Sequence, residues 1–166
     1  MPIRPPLHQT GSGMIELMVG LFVLAVGLMG ALALQFSSVR STQSAVYTSD
    51  AQIIAQDMID RIMAYNDVLT TDDDDDYHNI DTGNAATDPA CKDTGCTADQ
   101  IKAMDTYEWQ QIIQSRLPGG RGTVSYLNNV YTIVVMWDRD RTGVDGTNCG
   151  GNPAVDLTCY RVEFRL

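Results

Sequence analysis

Histidine is almost missing from this chain: 166 residues contain two, His8 and His78. That excludes a zincin-type HExxH site and leaves little with which to move protons near neutral pH. A lone His78 in an acidic stretch offers no oriented base, so no catalytic residue is assigned and the chain is not expected to be an enzyme. Cations are in short supply as well, with 11 Lys and Arg against 21 Asp and Glu and a net charge of −10. A protein that grips a phosphate backbone needs the opposite balance, so nucleic acid is not an expected partner. Cysteine stops at four, and no two of them form a CxxC pair. Catalytic dithiol chemistry is thereby set aside, and zinc is disfavoured because no histidine lies near either cysteine pair. No cofactor and no resident metal is expected. The length suits a single domain and is too short for a large multidomain enzyme.

What charge there is clusters. Residues 67–105 carry eleven acidic and two basic side chains, so −9 of the −10 sits there. With Asn79, Gly83, Asn84, Pro89 and Gly95 among them, this segment reads as a solvated, turn-rich excursion rather than core.

The longest apolar run is Met14 to Leu34, 21 residues in which Glu16 is the only charge. At about 1.5 Å per residue, a helix of that length matches a hydrocarbon layer of about 30 Å. The leader before it, MPIRPPLHQTG, holds one arginine and no hydrophobic stretch of its own. Weakly positive flanking keeps that end cytoplasmic and sends the rest across the membrane. A cleaved secretory signal is the rival reading, because Ala31, Leu32 and Ala33 form an A-x-A-like site. Against it stand the carboxylate of Glu16, which costs on the order of 3 kcal/mol at mid-membrane, and a helical pattern that runs on past the cut. On a wheel of about 100° per residue, Glu16, Gly20, Val23, Gly27, Gly30, Ala31 and Leu34 share a sector about 100° wide. Gly20, Gly27 and Gly30 thus stand on the glutamate's face, a surface for close helix packing with one polar address.

Between Leu34 and Gly83 neither proline nor glycine occurs. Val39, Val46 and Ile53, then Ile54, Met58, Ile62 and Tyr65, predict one continuous apolar stripe on a helix from residue 14 to about 66. Such a helix would be roughly 80 Å long, half in lipid and half needing a surface to bury its stripe. Further on, Thr97 with Gln100 forms a capping box for a helix or two up to Leu117, with Ile101, Met104, Ile112 and Ile113 as its core stripe. Pro118, Gly119 and Gly120 end it. Thr123 to Leu127 and Val130 to Trp137 read as strands joined by Asn128 and Asn129, which tolerate the positive φ of a two-residue hairpin turn. Cys159 to Leu166 alternates strictly, with Tyr160, Val162, Phe164 and Leu166 on one face and Arg161, Glu163 and Arg165 on the other, as a half-buried strand does. The fold expected is α+β, a long N-terminal helix on a small antiparallel sheet.

All four cysteines fall in the part predicted to lie outside the cytoplasm, where disulfides form. Four cysteines allow three connectivities. The sequential one, Cys91 with Cys96 and Cys149 with Cys159, is favoured because each closes a loop of Gly, Asn and Thr that has little else to hold it. Two acidic patterns suggest calcium less strongly. Asp72 to Asp76 would repel one another and are more simply a hydrated run. Asp138, Asp140, Thr142 and Gly143 resemble the start of a D-x-D-x-T-G calcium loop, but Cys149 stands where that pattern needs glutamate.

The leader followed by GSGMIELMVGLFVLAVGLMGALALQ resembles the class III signal of type IV pilins and related pseudopilins. The stretches SAVYTSDAQIIAQDMIDRIMAYN, DPAC, YEWQQIIQSRLPGGRGTV, YTIVVMWDRDRTG and CYRVEFRL together look like PilV-type minor pilins. The resemblance implies a prepilin leader at 1–11, a transmembrane and assembly helix at 12–35, and a periplasmic head at 36–166 that includes the amphipathic half of the helix. It implies cleavage by a prepilin peptidase between Gly11 and Ser12, with N-methylation of Ser12, where the family usually has phenylalanine. Glu16 becomes the fifth residue of the mature chain, where the family uses a glutamate to meet the freed amine of a neighbouring subunit. Other minor and major pilins, the inner-membrane assembly platform and a tip adhesin are the partners implied. The role implied is to start pilus assembly at the tip, supporting adhesion and twitching motility, from an inner-membrane precursor with a periplasmic head to a pilus on the cell surface. A minor pseudopilin of a type II secretion system shares the same helix. A membrane-anchored, calcium-dependent adhesin that never polymerises is the alternative of a different class.

Overall fold

The computed structural model describes residues 12–68 and 77–166. The chain divides into two compact units, with the boundary after Gln43. One helix, α1 (Ser12–Val68), runs from the first unit into the second. It is followed by β1 (Ile80–Asp81), α2 (Ala98–Arg116), β2 (Arg121–Leu127), β3 (Val130–Trp137) and β4 (Thr158–Phe164). The strands form one antiparallel sheet in the order β1-β2-β3-β4. A long N-terminal helix followed by a small four-stranded antiparallel sheet is an α+β, pilin-like arrangement.

In the second unit α1 buries one face. Ala51, Ile54, Ala55, Met58, Ile62 and Tyr65 recur at three- and four-residue steps and are all buried, as the helical repeat requires of a core-facing stripe. They join Trp109 and Ile113 of α2 and Val124, Tyr131, Ile133, Val135 and Trp137 of the sheet in a single apolar cluster. The Ile, Val and Met side chains among them each contribute roughly 1.5–3 kcal/mol when fully removed from water. Trp109 is wholly buried, and its indole N–H donates to the backbone carbonyl of Ile54 at 3.0 Å, so its one polar group is paired. Gly122 of β2 leaves room for that indole: a Cβ there would overlap the Trp109 ring and the Ile113 side chain.

The expected stripe needs one correction. Val39, Val46 and Ile53 are 59%, 52% and 58% exposed and take no part in the core. Ile53 and Ile54 are adjacent, hence about 100° apart on the helix, so the seven-residue triplet and the buried set occupy different faces.

α2 begins at the capping box read from sequence: Thr97 Oγ1 accepts from the Gln100 N–H at 3.4 Å, and Gln100 Oε1 accepts from the Thr97 N–H at 2.9 Å. It ends at Leu117, which is extended (φ −116°, ψ 127°) ahead of Pro118, and Gly119 follows with a φ of +58° that a side chain would resist. Asn128 and Asn129, with φ of 53° and 61°, form the two-residue turn between β2 and β3.

A second correction concerns residues 67–105. Among those described, Tyr77, Ile80, Thr82 and Cys91 are buried, and β1 adds a strand at the sheet edge through Ile80 opposite Val124 and Asp81 opposite Thr123. Composition averaged over a charged segment hides single apolar residues that anchor it, and a two-residue strand leaves no alternation to detect.

Candidate assembly face

The described residues of the first unit, 12–43, are helical throughout. Met14, Leu17, Leu21, Phe22, Leu28 and the other large apolar side chains of the run are exposed. The helix is long and apolar enough to cross a membrane by length and composition. At Gly13, Gly20, Gly27 and Gly30 an added Cβ would meet nothing within 4 Å, so the glycine face stands open along its whole length. Glu16 lies beside it: Gly13, Glu16, Leu17, Gly20, Leu21 and Leu24 line a shallow groove of about 470 Å³. A glycine shelf admits another backbone closely, and a carboxylate in such a groove is a ready partner for a cation delivered by a second chain. Gly11 and the leader lie outside the described residues, as do Asp72 to Asp76. Ser12 opens α1.

In the second unit, the polar side chains form structural locks. Arg61 of α1 donates to Asp57 Oδ2 at 2.9 Å, Asp105 Oδ1 at 2.7 Å and Glu108 Oε2 at 2.9 Å. Asp105, only 8% exposed, also accepts from the Tyr77 hydroxyl, and Glu108 accepts from Lys92 Nζ. Burial works against the Arg61 charge, and the bonds to Glu108, Asp57 and Asp105 outweigh it, raising its pKa further. Burial and then the bond to Asp105 push the Tyr77 phenol up. Lys92, followed by Arg61, holds the Glu108 carboxyl below the usual carboxylate range. The cluster ties α1 to α2 and to the chain on the far side of the acidic run. Of these contacts only Asp57–Arg61, four residues apart on one helix, has a spacing that local pattern can flag, and it is not among the residues singled out from the sequence.

Other locks are similar. Arg121 makes a two-pronged contact with Asp81, through Nε at 2.8 Å and through Nη2, which depresses the Asp81 carboxyl. His78 Nδ1 accepts from the Tyr126 N–H at 2.8 Å, so this ring braces β2. Asp138 accepts from the Gly143 N–H at 2.7 Å and the Thr142 hydroxyl at 3.4 Å. Burial raises the Asp138 carboxyl, and the Gly143, Thr142 and Arg141 N–H groups more than reverse this, leaving it low. The D-x-D-x-T-G stretch therefore spends its leading carboxylate on its own backbone. Among the described residues no group of three or more His, Cys, Asp or Glu is placed to hold a metal. Disulfides join Cys91 to Cys96 and Cys149 to Cys159, with Cα–Cα separations of 5.1 and 5.6 Å.

No family model matches the chain, and no curated protein or solved structure matches it.

Proposed function

We propose that this protein is a minor pilin of a type IV pilus: a subunit made with a short leader, held in the inner membrane by the first half of α1, and drawn into the filament to start assembly at its tip, in support of adhesion and twitching motility. One observation carries the reading. A single carboxylate, Glu16, sits in the otherwise apolar Met14–Leu34 stretch of α1, on the same open face as Gly20, Gly27 and Gly30. Left alone in lipid, that carboxylate costs on the order of 3 kcal/mol at mid-membrane. A neighbouring subunit's amine about 4 Å away, at an effective dielectric near 20, returns about 4 kcal/mol of Coulomb energy, which offsets the carboxylate's cost before the amine's own desolvation is counted. Association along this face thus turns a penalty into a docking address. The glycines permit the approach, and the sheet-bearing unit supplies the head. Cleavage between Gly11 and Ser12 by a prepilin peptidase provides the amine on each copy, with methylation of Ser12 to follow. Other minor and major pilins, the assembly platform and a tip adhesin are the partners of this reading.

Mass spectrometry of the cellular protein and of sheared pili tests it. The expected mature chain begins at methylated Ser12 and co-purifies with pili, while Glu16→Ala leaves it processed in the membrane and missing from the filament. A mature chain beginning at Leu34 overturns the proposal in favour of ordinary secretion. Recovery only with a secretion apparatus assigns the chain to pseudopilins, and normal surface display of Glu16→Ala outside any filament favours an anchored adhesin.

A further inference from the structure

β4 is the last strand of the sheet. It pairs with β3 along its full length, from Thr158 opposite Trp137 to Phe164 opposite Tyr131. Among the described residues no strand pairs with its other side. That side leaves a row of backbone N–H and C=O groups without a strand partner among the described residues, the usual template for adding a strand. Single-sign charges along an edge repel a copy of themselves, which is how many proteins keep such edges unpaired. Here the exposed face of β4 carries opposite signs two residues apart: Arg161 donates to Glu163 Oε1 at 2.7 Å within the strand, and both remain more than half exposed. The other face carries Tyr160, Val162 and Phe164, each only partly covered although packed against the core.

We propose that β4 pairs with β4 of a second copy of this chain, antiparallel and centred on Val162, joining the two four-stranded sheets edge to edge. The register follows from the charges. With Val162 opposite Val162, Arg161 of each copy faces Glu163 of the other, twice over, and Tyr160 of each faces Phe164 of the other. This register also pairs residues of like parity, so the backbone groups that β3 leaves unused on one copy meet their counterparts on the other. Opposed aromatic and opposite-charge pairs are the side-chain arrangements that stabilise antiparallel neighbours. Because Arg161 and Glu163 already satisfy each other within one strand, exchanging that contact for two between copies adds little strength. The charges select the register and the partner, and backbone bonds with the apolar row hold it. The disulfide at Cys159 limits the pairing at one end and the end of β4 at Phe164 at the other. The inference stands apart from the glycine face of α1 and does not depend on filament assembly.

Charge exchange in the full-length chain, purified in detergent and followed by sedimentation and native mass spectrometry, tests it. Wild type is expected to dimerise, and Arg161→Glu and Glu163→Arg, which place like charges opposite each other, are each expected to weaken self-association at least tenfold. Mixing the two variants restores the facing of opposite charges and should recover the dimer as a heterodimer, and the double exchange R161E/E163R should recover it alone. Recovery on mixing also shows that each single variant is folded. A wild-type monomer, single variants that associate like wild type, or a mixture and a double variant that stay monomeric each overturn the proposal.

Discussion

Gln110 shows how much one side chain does in this head. It is buried, and its amide nitrogen donates to the carbonyls of Thr82 at 2.7 Å and Asn84 at 3.0 Å, while its oxygen accepts from the Ala86 N–H at 3.0 Å. One residue on α2 thus satisfies backbone groups of a loop in which the two-residue strand β1 is the regular structure among the described residues. Leaving buried backbone groups without partners costs about 1–3 kcal/mol each. Gln110→Ala is expected to lower the stability of the head by that order in a denaturant titration. Gln110→Glu should be at least as damaging despite its matching shape, because it turns two donors into a carboxylate aimed at two carbonyl oxygens. A glutamate variant as stable as wild type would show that this loop is held by something else.

At the scale of elements, irregular segments depend on covalent ties where strands and helices depend on packing. The Cys91–Cys96 disulfide closes a sequence separation of 5 and Cys149–Cys159 one of 10. Loop-closure entropy grows by about 0.6 kcal/mol for each doubling of loop length. Replacing Cys149 and Cys159 with alanine should therefore destabilise the head by about 2–4 kcal/mol, the usual range for a native disulfide. Replacing Cys91 and Cys96 should cost roughly 0.6 kcal/mol less in the same denaturation experiment. The longer loop also has supports of its own: Asp156 accepts from the Asn152 N–H at 2.8 Å, and the Gly146 N–H donates to the Val155 carbonyl at 2.9 Å. If its removal proves the milder of the two, those bonds rather than the disulfide set that loop.

Over the whole molecule, the polar locks make stability depend on pH at both extremes. Glu108, Asp81 and Asp138 have carboxyl pKa values below their ordinary ones. Their stabilisation is present above the unfolded values near 4 and is lost as pH falls through the depressed folded values. Tyr77 and Lys92 are shifted upward. Their contributions are present below the unfolded values near 10 and are lost as pH rises through the raised folded ones. Thermal melts should give a flat plateau between about pH 6 and 9, falling below about 4 and above about 10. Tyr77→Phe should flatten the alkaline limb and leave the acid limb in place. An unchanged alkaline limb in that variant would remove Tyr77 from the account.

Much of this protein can be read from local pattern, because local pattern is what forms helices and turns. The apolar run with one carboxylate, the glycines sharing its face, the capping box at Thr97, the Asn128–Asn129 turn and the alternation of β4 each depend on residues within a few positions of one another, and each is where the spacing puts it. The face that α1 buries was only half legible. Val39, Val46 and Ile53 are as apolar as the core set, and nothing local says which face will meet Trp109. β1, the Gln110 brace and the contacts of Arg61 with Asp105 and Glu108 were not legible at all, since each joins residues separated by tens of positions in the chain. Sequence alone determined the periodicities, and with them every element except β1. Only the tertiary structure decided which apolar face is buried and which charges meet, because both depend on what the rest of the chain brings into contact.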